Sequence, residues 1–110
     1  MQGRFDELID LLKKALSLKP NYPEAHNNLG TALKGKGHLT AAITCYKRAI
    51  QLKPNYPKAH YNLGNALKEK GDPNAAIASY KQAIQLKPDY PDAHYNLGIA
   101  LQGQGDLNAA

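Results

Sequence analysis

The side chains whose type and spacing invite a chemical reading are three histidines, three asparagines and one cysteine. His26, His60 and His94 stand 34 residues apart, and so do Asn28, Asn62 and Asn96. A shared metal would need each imidazole nitrogen about 2 Å from the ion. Copies on successive helical units are separated by a helix-packing distance of about 8–10 Å, so the histidines do not converge and are assigned to interface packing. Cys45 is the sole cysteine, which excludes an internal disulfide and a cysteine-based metal site. In a helical pattern it reads as a small, half-buried apolar residue. No Ser-His-Asp set, paired carboxylates or glycine-rich phosphate loop is present, because Gly35-Lys36-Gly37 and Gly103-Gln104-Gly105 read as helix endings. Neither a catalytic residue nor a cofactor or metal is expected. The asparagines remain: an amide both donates and accepts, so it can pair with a peptide backbone of any sequence.

Elements that could carry such a ladder follow from the repeat. Pro20, Pro54 and Pro88 share the 34-residue spacing, as do Tyr22, Tyr56 and Tyr90. Residues 23–56 and 57–90 are identical at 23 of 34 positions. A fixed period of this size marks a solenoid whose units bury their apolar faces against neighbours. Within a unit the pattern predicts two helices. The first spans about Pro23 to Lys36, with Ala25, Leu29, Ala32 and Leu33 on one face. Gly37 ends it in the left-handed conformation that glycine adopts without strain. The second spans about Leu39 to Leu52 and stops at Lys53-Pro54. Asp72-Pro73 reads as an N-cap followed by a proline in the first helical turn. Small residues on these faces (Gly30, Ala42, Ala49, and Gly64, Ala76, Ala83 one unit on) permit close helix approach, with Leu29, Leu33, Tyr46 and Ile50 filling the space around them.

The chain is 110 residues long, room for one small domain. Its aromatic content is seven Tyr, one Phe and no Trp, which suits half-buried surfaces more than one deep core. The net charge of +5 divides as +1 over residues 1–22, +4 over 23–56, +2 over 57–90 and −2 over 91–110. Dispersed lysines read as a solvated face and weigh against a nucleic-acid footprint, which needs clustering. No segment approaches the roughly 20 apolar residues of a membrane span, and residues 1–6 lack a signal core. The expected protein is soluble and cytoplasmic, without a membrane partner.

The run Pro57-x-Ala59-His60-Tyr61-Asn62-Leu63-Gly64-Asn65-Ala66-Leu67, then Gly71-Asp72, Ala76-Ile77, Tyr80, Ala83-Ile84 and Leu86-x-Pro88, resembles the tetratricopeptide repeat. It is most similar to the variety in the arm of O-linked N-acetylglucosamine transferases and in bacterial repeat arrays. The resemblance covers residues 3–110; histidine stands at 26, 60 and 94 where the family often has tryptophan. It implies an all-α, right-handed superhelical solenoid of antiparallel helix pairs, about six helices here. The implied segments are 1–22 (second helix of a leading repeat), 23–56, 57–90, and 91–110 (first helix and the start of a second). It further implies that the first helices line a concave groove for an extended peptide or a partner helix. The groove positions are then Glu24, Asn27, Asn28, Thr31 and Lys34; Lys58, Tyr61, Asn62, Asn65 and Lys68; and Asp92, Tyr95, Asn96, Ile99 and Gln102.

The resembled arms hold polypeptide through an asparagine ladder. Asn28, Asn62 and Asn96 are expected to do likewise, with Tyr61 and Tyr95 adding stacking; the alternative is that these asparagines are solvated and idle. A carboxylate clamp for acidic chaperone tails needs Lys or Arg at places that hold Asn27, Thr31, Asn62, Asp92 and Asn96, so that mode is not expected. The frame points elsewhere too. The leading helix is the most apolar, with Phe5, Leu8, Leu11 and Leu12, and Tyr95 and Ile99 lie on the last first-helix. Uncovered apolar ends predict self-association, head-to-tail or two-fold. Near-identical units and abrupt ends suggest an excised or engineered array. The leading reading is therefore a non-catalytic protein-interaction scaffold. The alternatives are the substrate-recruiting arm of a larger glycosyltransferase and, more remotely, a helical RNA-binding repeat.

Overall fold

A computed structural model describes the backbone of residues 2–109 and the side chains of residues 3–105. The described residues form six helices: α1 (Gln2–Leu18), α2 (Pro23–Gly35), α3 (Leu39–Leu52), α4 (Pro57–Lys70), α5 (Pro73–Leu86) and α6 (Pro91–Ala109). The chain is all-α, as the periodicity predicts. It divides between Asn55 and Tyr56 into two compact units, α1–α3 and α4–α6.

Each helix boundary has a local cause. Prolines open α2, α4 and α5 in the first turn, where the missing N–H would have had no partner. Gly37 (φ +85°) and Gly71 (φ +93°) close α2 and α4 in the left-handed region. The residue after each glycine then donates its N–H back into the helix, His38 to the Leu33 carbonyl and Asp72 to that of Leu67, both at 2.9 Å. Asp72 also caps α5, its side chain accepting from the Ala75 N–H at 3.3 Å. One boundary differs from expectation. The predicted ending at Gly103-Gln104-Gly105 is absent, and α6 continues to Ala109. At Gly37 and Gly71 the glycine takes a positive φ and the chain turns back, whereas the backbone stays helical through Gly103 and Gly105.

Consecutive helices within each unit pack antiparallel. In the first unit Phe5, early in α1, lies against Gly35 at the end of α2, and Lys53 just past α3 pairs with Glu24 at the start of α2. In the second, Gln104 of α6 bonds to Asn74 at the start of α5. The seam of each second helix is small–large–small: Ala42, Tyr46 and Ala49 in α3, and Ala76, Tyr80 and Ala83 in α5, all essentially sealed from solvent. Each tyrosine ring sits on a glycine of the preceding helix. A Cβ on Gly30 would stand 2.8 Å from Tyr46 Cε1, and one on Gly64 would stand 2.7 Å from Tyr80 Cε1. Glycine is required there by close approach. The α1 side of the first unit uses longer side chains, with Ile9 packed on Leu29 and Ala32, flanked by Phe5, Leu12 and Leu16.

Gly98 occupies the corresponding place on α6, yet a Cβ there would meet nothing within 4 Å. The two positions should therefore respond oppositely to alanine. In Gly98→Ala the helix-propensity gain of about 1 kcal/mol is unopposed. In Gly64→Ala the same gain is outweighed by overpacking of about 1–3 kcal/mol against a ring that has no room to step aside. Thermal melts should show Gly98→Ala above the parent and Gly64→Ala below it, each by several degrees. Equal shifts of the same sign would contradict the seating of Tyr80 on Gly64.

Candidate functional site

In the second unit the first-helix residues form one connected polar network. The Tyr80 hydroxyl, rising from the buried seam, donates to Asn65 Oδ1 at 2.6 Å. Asn96 Nδ2 on α6 donates to the same oxygen at 3.1 Å and to the Tyr61 hydroxyl at 2.9 Å. In this arrangement Asn65 Oδ1 accepts from a phenol and from an amide N–H at once, as a carbonyl oxygen with two lone pairs can. Asn96 Oδ1, Asn65 Nδ2 and the Tyr61 hydroxyl proton are not used in this network. The phenol rings surround it: Tyr61 lies 6.0 Å from Tyr80 and 5.1 Å from Tyr90 between centroids.

The first unit holds a shorter version. Thr31, one period before Asn65, makes a 3.0 Å hydrogen bond with the Tyr46 hydroxyl, and its own hydroxyl is within 3.2 Å of the Asn27 carbonyl. Thr31 is exposed. Asn27 is not. At 1% exposure it is sealed in the first unit, which removes it as a peptide contact; the same register position holds a half-buried Tyr61 and a 70% exposed Tyr95. The asparagines of the ladder also differ from one another: Asn28 is exposed, whereas Asn62 and Asn96 are half-buried. Lys34 is half-buried and Lys68 exposed.

Burial raises two of the phenols. Desolvation, reinforced by Tyr61 and Glu69, pushes the Tyr80 phenol from 10 up to about 12. Tyr90 is raised in the same way, by desolvation and then by Tyr61 and Asp92. Desolvation also raises the Cys45 thiol, against the opposing charge of Lys13, so this cysteine is a packing residue. At Glu24 a backbone hydrogen bond and then Lys53 hold the carboxyl below its ordinary value.

The histidines have a more specific task than interface packing. His26 Nε2 lies 2.9 Å from the Pro20 carbonyl and His94 Nε2 lies 2.8 Å from that of Pro88. Each ring thus ties the proline turn preceding its helix to that helix. Among the described residues no group of three His, Cys, Asp or Glu side chains lies together, and no helix is long and apolar enough to cross a membrane.

The apolar residues expected to drive association separate into two sets. Phe5 and Leu12 are half-buried and pack on the Ile9–Leu29–Ala32 cluster, which leaves them less area for a second copy. Leu8, Leu11 and Leu18 at the leading helix, and Tyr95 and Ile99 on α6, are exposed, joined by Leu101, which the sequence reading does not single out. Tyr80 and Tyr90 were also passed over as site residues, although Tyr80 recurs 34 residues after Tyr46 and Tyr90 after Tyr56. The signal was present but read as packing alone.

Comparison with known proteins places these features. The family described as TPR repeat matches residues 1–37, 32–71 and 64–105. Among solved structures, MamA is 34% identical with a TM-score of 0.87, over 94% of this chain and 60% of that one. The chain thus spans well under two thirds of that protein. A mutant O-GlcNAc transferase from Thermobaculum terrenum is also 34% identical, TM-score 0.85, over 91% of this chain but 19% of that one. The first TPR of Spaghetti (RPAP3), bound to the HSP90 peptide SRMEEVD, is 25% identical with a TM-score of 0.91, covering 94% and 82%. No curated protein sequence matches.

The Tyr80 hydroxyl should be measurable in two ways. Tyr80→Phe removes a donor from Asn65 and should cost about 1 kcal/mol, read by chemical denaturation. The raised pKa also sets a pH window. Between pH 10 and 12 the unfolded chain loses a phenol proton that the folded chain keeps, so stability falls as pH rises through that window. The fall should be shallower in Tyr80→Phe; identical slopes would refute the assignment.

Proposed function

The chain belongs to the tetratricopeptide repeat family, and on that premise we propose that its first helices hold an extended peptide of a protein partner. The observation that carries this reading is the Tyr80–Asn65–Asn96–Tyr61 network. Side chains locked by one another lose little freedom when a ligand arrives, which lowers the cost of binding. The network leaves one amide carbonyl, one amide NH2 and one hydroxyl proton to pair with a backbone, and a backbone offers the same groups at every residue. Support by likeness comes from the RPAP3 repeat domain that holds a peptide. In the first unit the exposed Asn28 takes the corresponding role, with Thr31 and Lys34 beside it; Asn62, Tyr95 and Lys68 extend the contact in the second.

The test is titration of a neutral, unstructured peptide against the parent and against Asn28→Ala and Asn62→Ala. Each lost hydrogen bond of about 1 kcal/mol weakens Kd by roughly fivefold. Unchanged affinity in both variants sinks the ladder. The likeness to the Thermobaculum terrenum transferase supports a narrower version, in which the peptide is the substrate of a larger glycosyltransferase. Linkage of this reading frame to a catalytic domain is the observation that decides between the two.

Self-association is a second part of the proposal, favoured by the open place at Gly98. Gly30 and Gly64 each seat a tyrosine ring, whereas Gly98 lies open beside exposed Tyr95, Ile99 and Leu101. A helix from a second copy covers that face, and α1, with Leu8 and Leu11 exposed, is the helix in the right repeat register. The opposite net charges of residues 1–22 and 91–110 favour the same pairing. Light scattering over a concentration series should show mass rising with concentration, and Leu11→Glu should suppress the rise. A strict monomer at high concentration rejects this part alone.

A further inference from the structure

One rim position changes sign between the units, and a cleft opens where it does. In the first unit Lys53 Nζ lies 3.4 Å from Glu24 Oε2, an ion pair between the end of α3 and the start of α2. One period on, Lys87 takes the place of Lys53, but Lys58 takes the place of Glu24. Among the described residues no carboxylate pairs with either lysine; Lys87 Nζ instead lies over the Tyr90 ring, 4.8 Å from its centroid. Tyr56, Pro57, Lys58, Lys87 and Tyr90 line a single open cleft of about 230 Å³. Asp92 acts on Tyr90 electrostatically but makes no ion pair with Lys58 or Lys87.

We propose that this cleft binds the carboxylate of an aspartate or glutamate side chain on the partner peptide. Its volume is below the roughly 300 Å³ at which small-molecule pockets begin, so it suits one side chain and not a cofactor. Two lysines lining one cleft favour an anion between them, and in the first unit a carboxylate lies 3.4 Å from the lysine at the place of Lys87. The ring faces and Pro57 give the methylene part of an acidic side chain an apolar surface. The cleft lies at the proline turn before α6 and borders the Asn65–Asn96 network through Tyr90, so it adds a charge preference to a backbone grip that has none. The site rests on the peptide-binding reading for its biological partner, but its chemistry is testable alone.

The experiment is a nuclear magnetic resonance titration of the isotope-labelled full chain with N-acetyl-glutamate N-methylamide, its glutamine counterpart and its phosphoserine counterpart. The glutamate probe should give saturable shifts at Tyr56, Lys58, Lys87 and Tyr90. The glutamine probe should bind at least fivefold more weakly. In Lys58→Glu, which rebuilds the arrangement of the first unit, the glutamate shifts should vanish; Lys58→Gln should reduce them. Unchanged resonances elsewhere establish that both variants are folded. Equal response to glutamate and glutamine, glutamate shifts surviving in Lys58→Glu, or response to phosphoserine alone would each overturn the carboxylate assignment. Because the backbone grip is tested with a neutral peptide, failure here and failure there are separate results.

Discussion

A tyrosine ring resting on a glycine is the contact on which the rest of each unit depends. Tyr46 on Gly30 and Tyr80 on Gly64 bring second helix and first helix so close that even one methyl group has no room. The alanines one turn to either side, Ala42 and Ala49 or Ala76 and Ala83, allow the same approach along the helix. Such contact fixes rotation and translation of the pair together, because the ring fits only where the glycine is.

The same ring carries order to the surface. Its body is sealed in the seam while its hydroxyl reaches the first-helix face, where it meets Thr31 in one unit and Asn65 in the other. A buried phenol must find a partner, and here the partner is a residue of the preceding helix. Asn65 then takes up Asn96, and Asn96 takes up Tyr61. The rigidity of a solvent-facing amide thus traces back through two hydrogen bonds to the packing of a ring. A phenylalanine at 80 would pack as well and orient nothing.

Much of this was readable from the residues. The period located the helices, the proline and glycine positions located their ends, and the 34-residue recurrence of Gly64 and Tyr80 implied a packed seam. Four things were not legible, each for a physical reason. The burial of Asn27 depends on what surrounds it, and its repeat equivalents Tyr61 and Tyr95 share its register but not its exposure. The helical path through Gly105 was not legible because a glycine permits the left-handed ending without requiring it. The division of the leading leucines, with Leu12 inward and Leu11 outward, is one helical step of about 100° and cannot be assigned until the neighbouring helix is placed. The histidine contacts with Pro20 and Pro88 escaped similarly, since a six-residue hydrogen bond has no signature in either helix period.

The contrast between the two units at their rim has a bearing on how such a chain can diversify. Interior positions are pinned by contact: Gly30 and Gly64, Tyr46 and Tyr80, and the alanines around them are the same residues in both copies. The rim position occupied by Glu24 becomes Lys58 and then Asp92, reversing charge twice without disturbing any seat. Exposed substitutions of this kind usually shift stability by no more than about 0.5 kcal/mol. Each unit is thus free to vary in rim charge while remaining held to one shape. Specificity and stability are written on different atoms, and the first can be edited unit by unit without reopening the second.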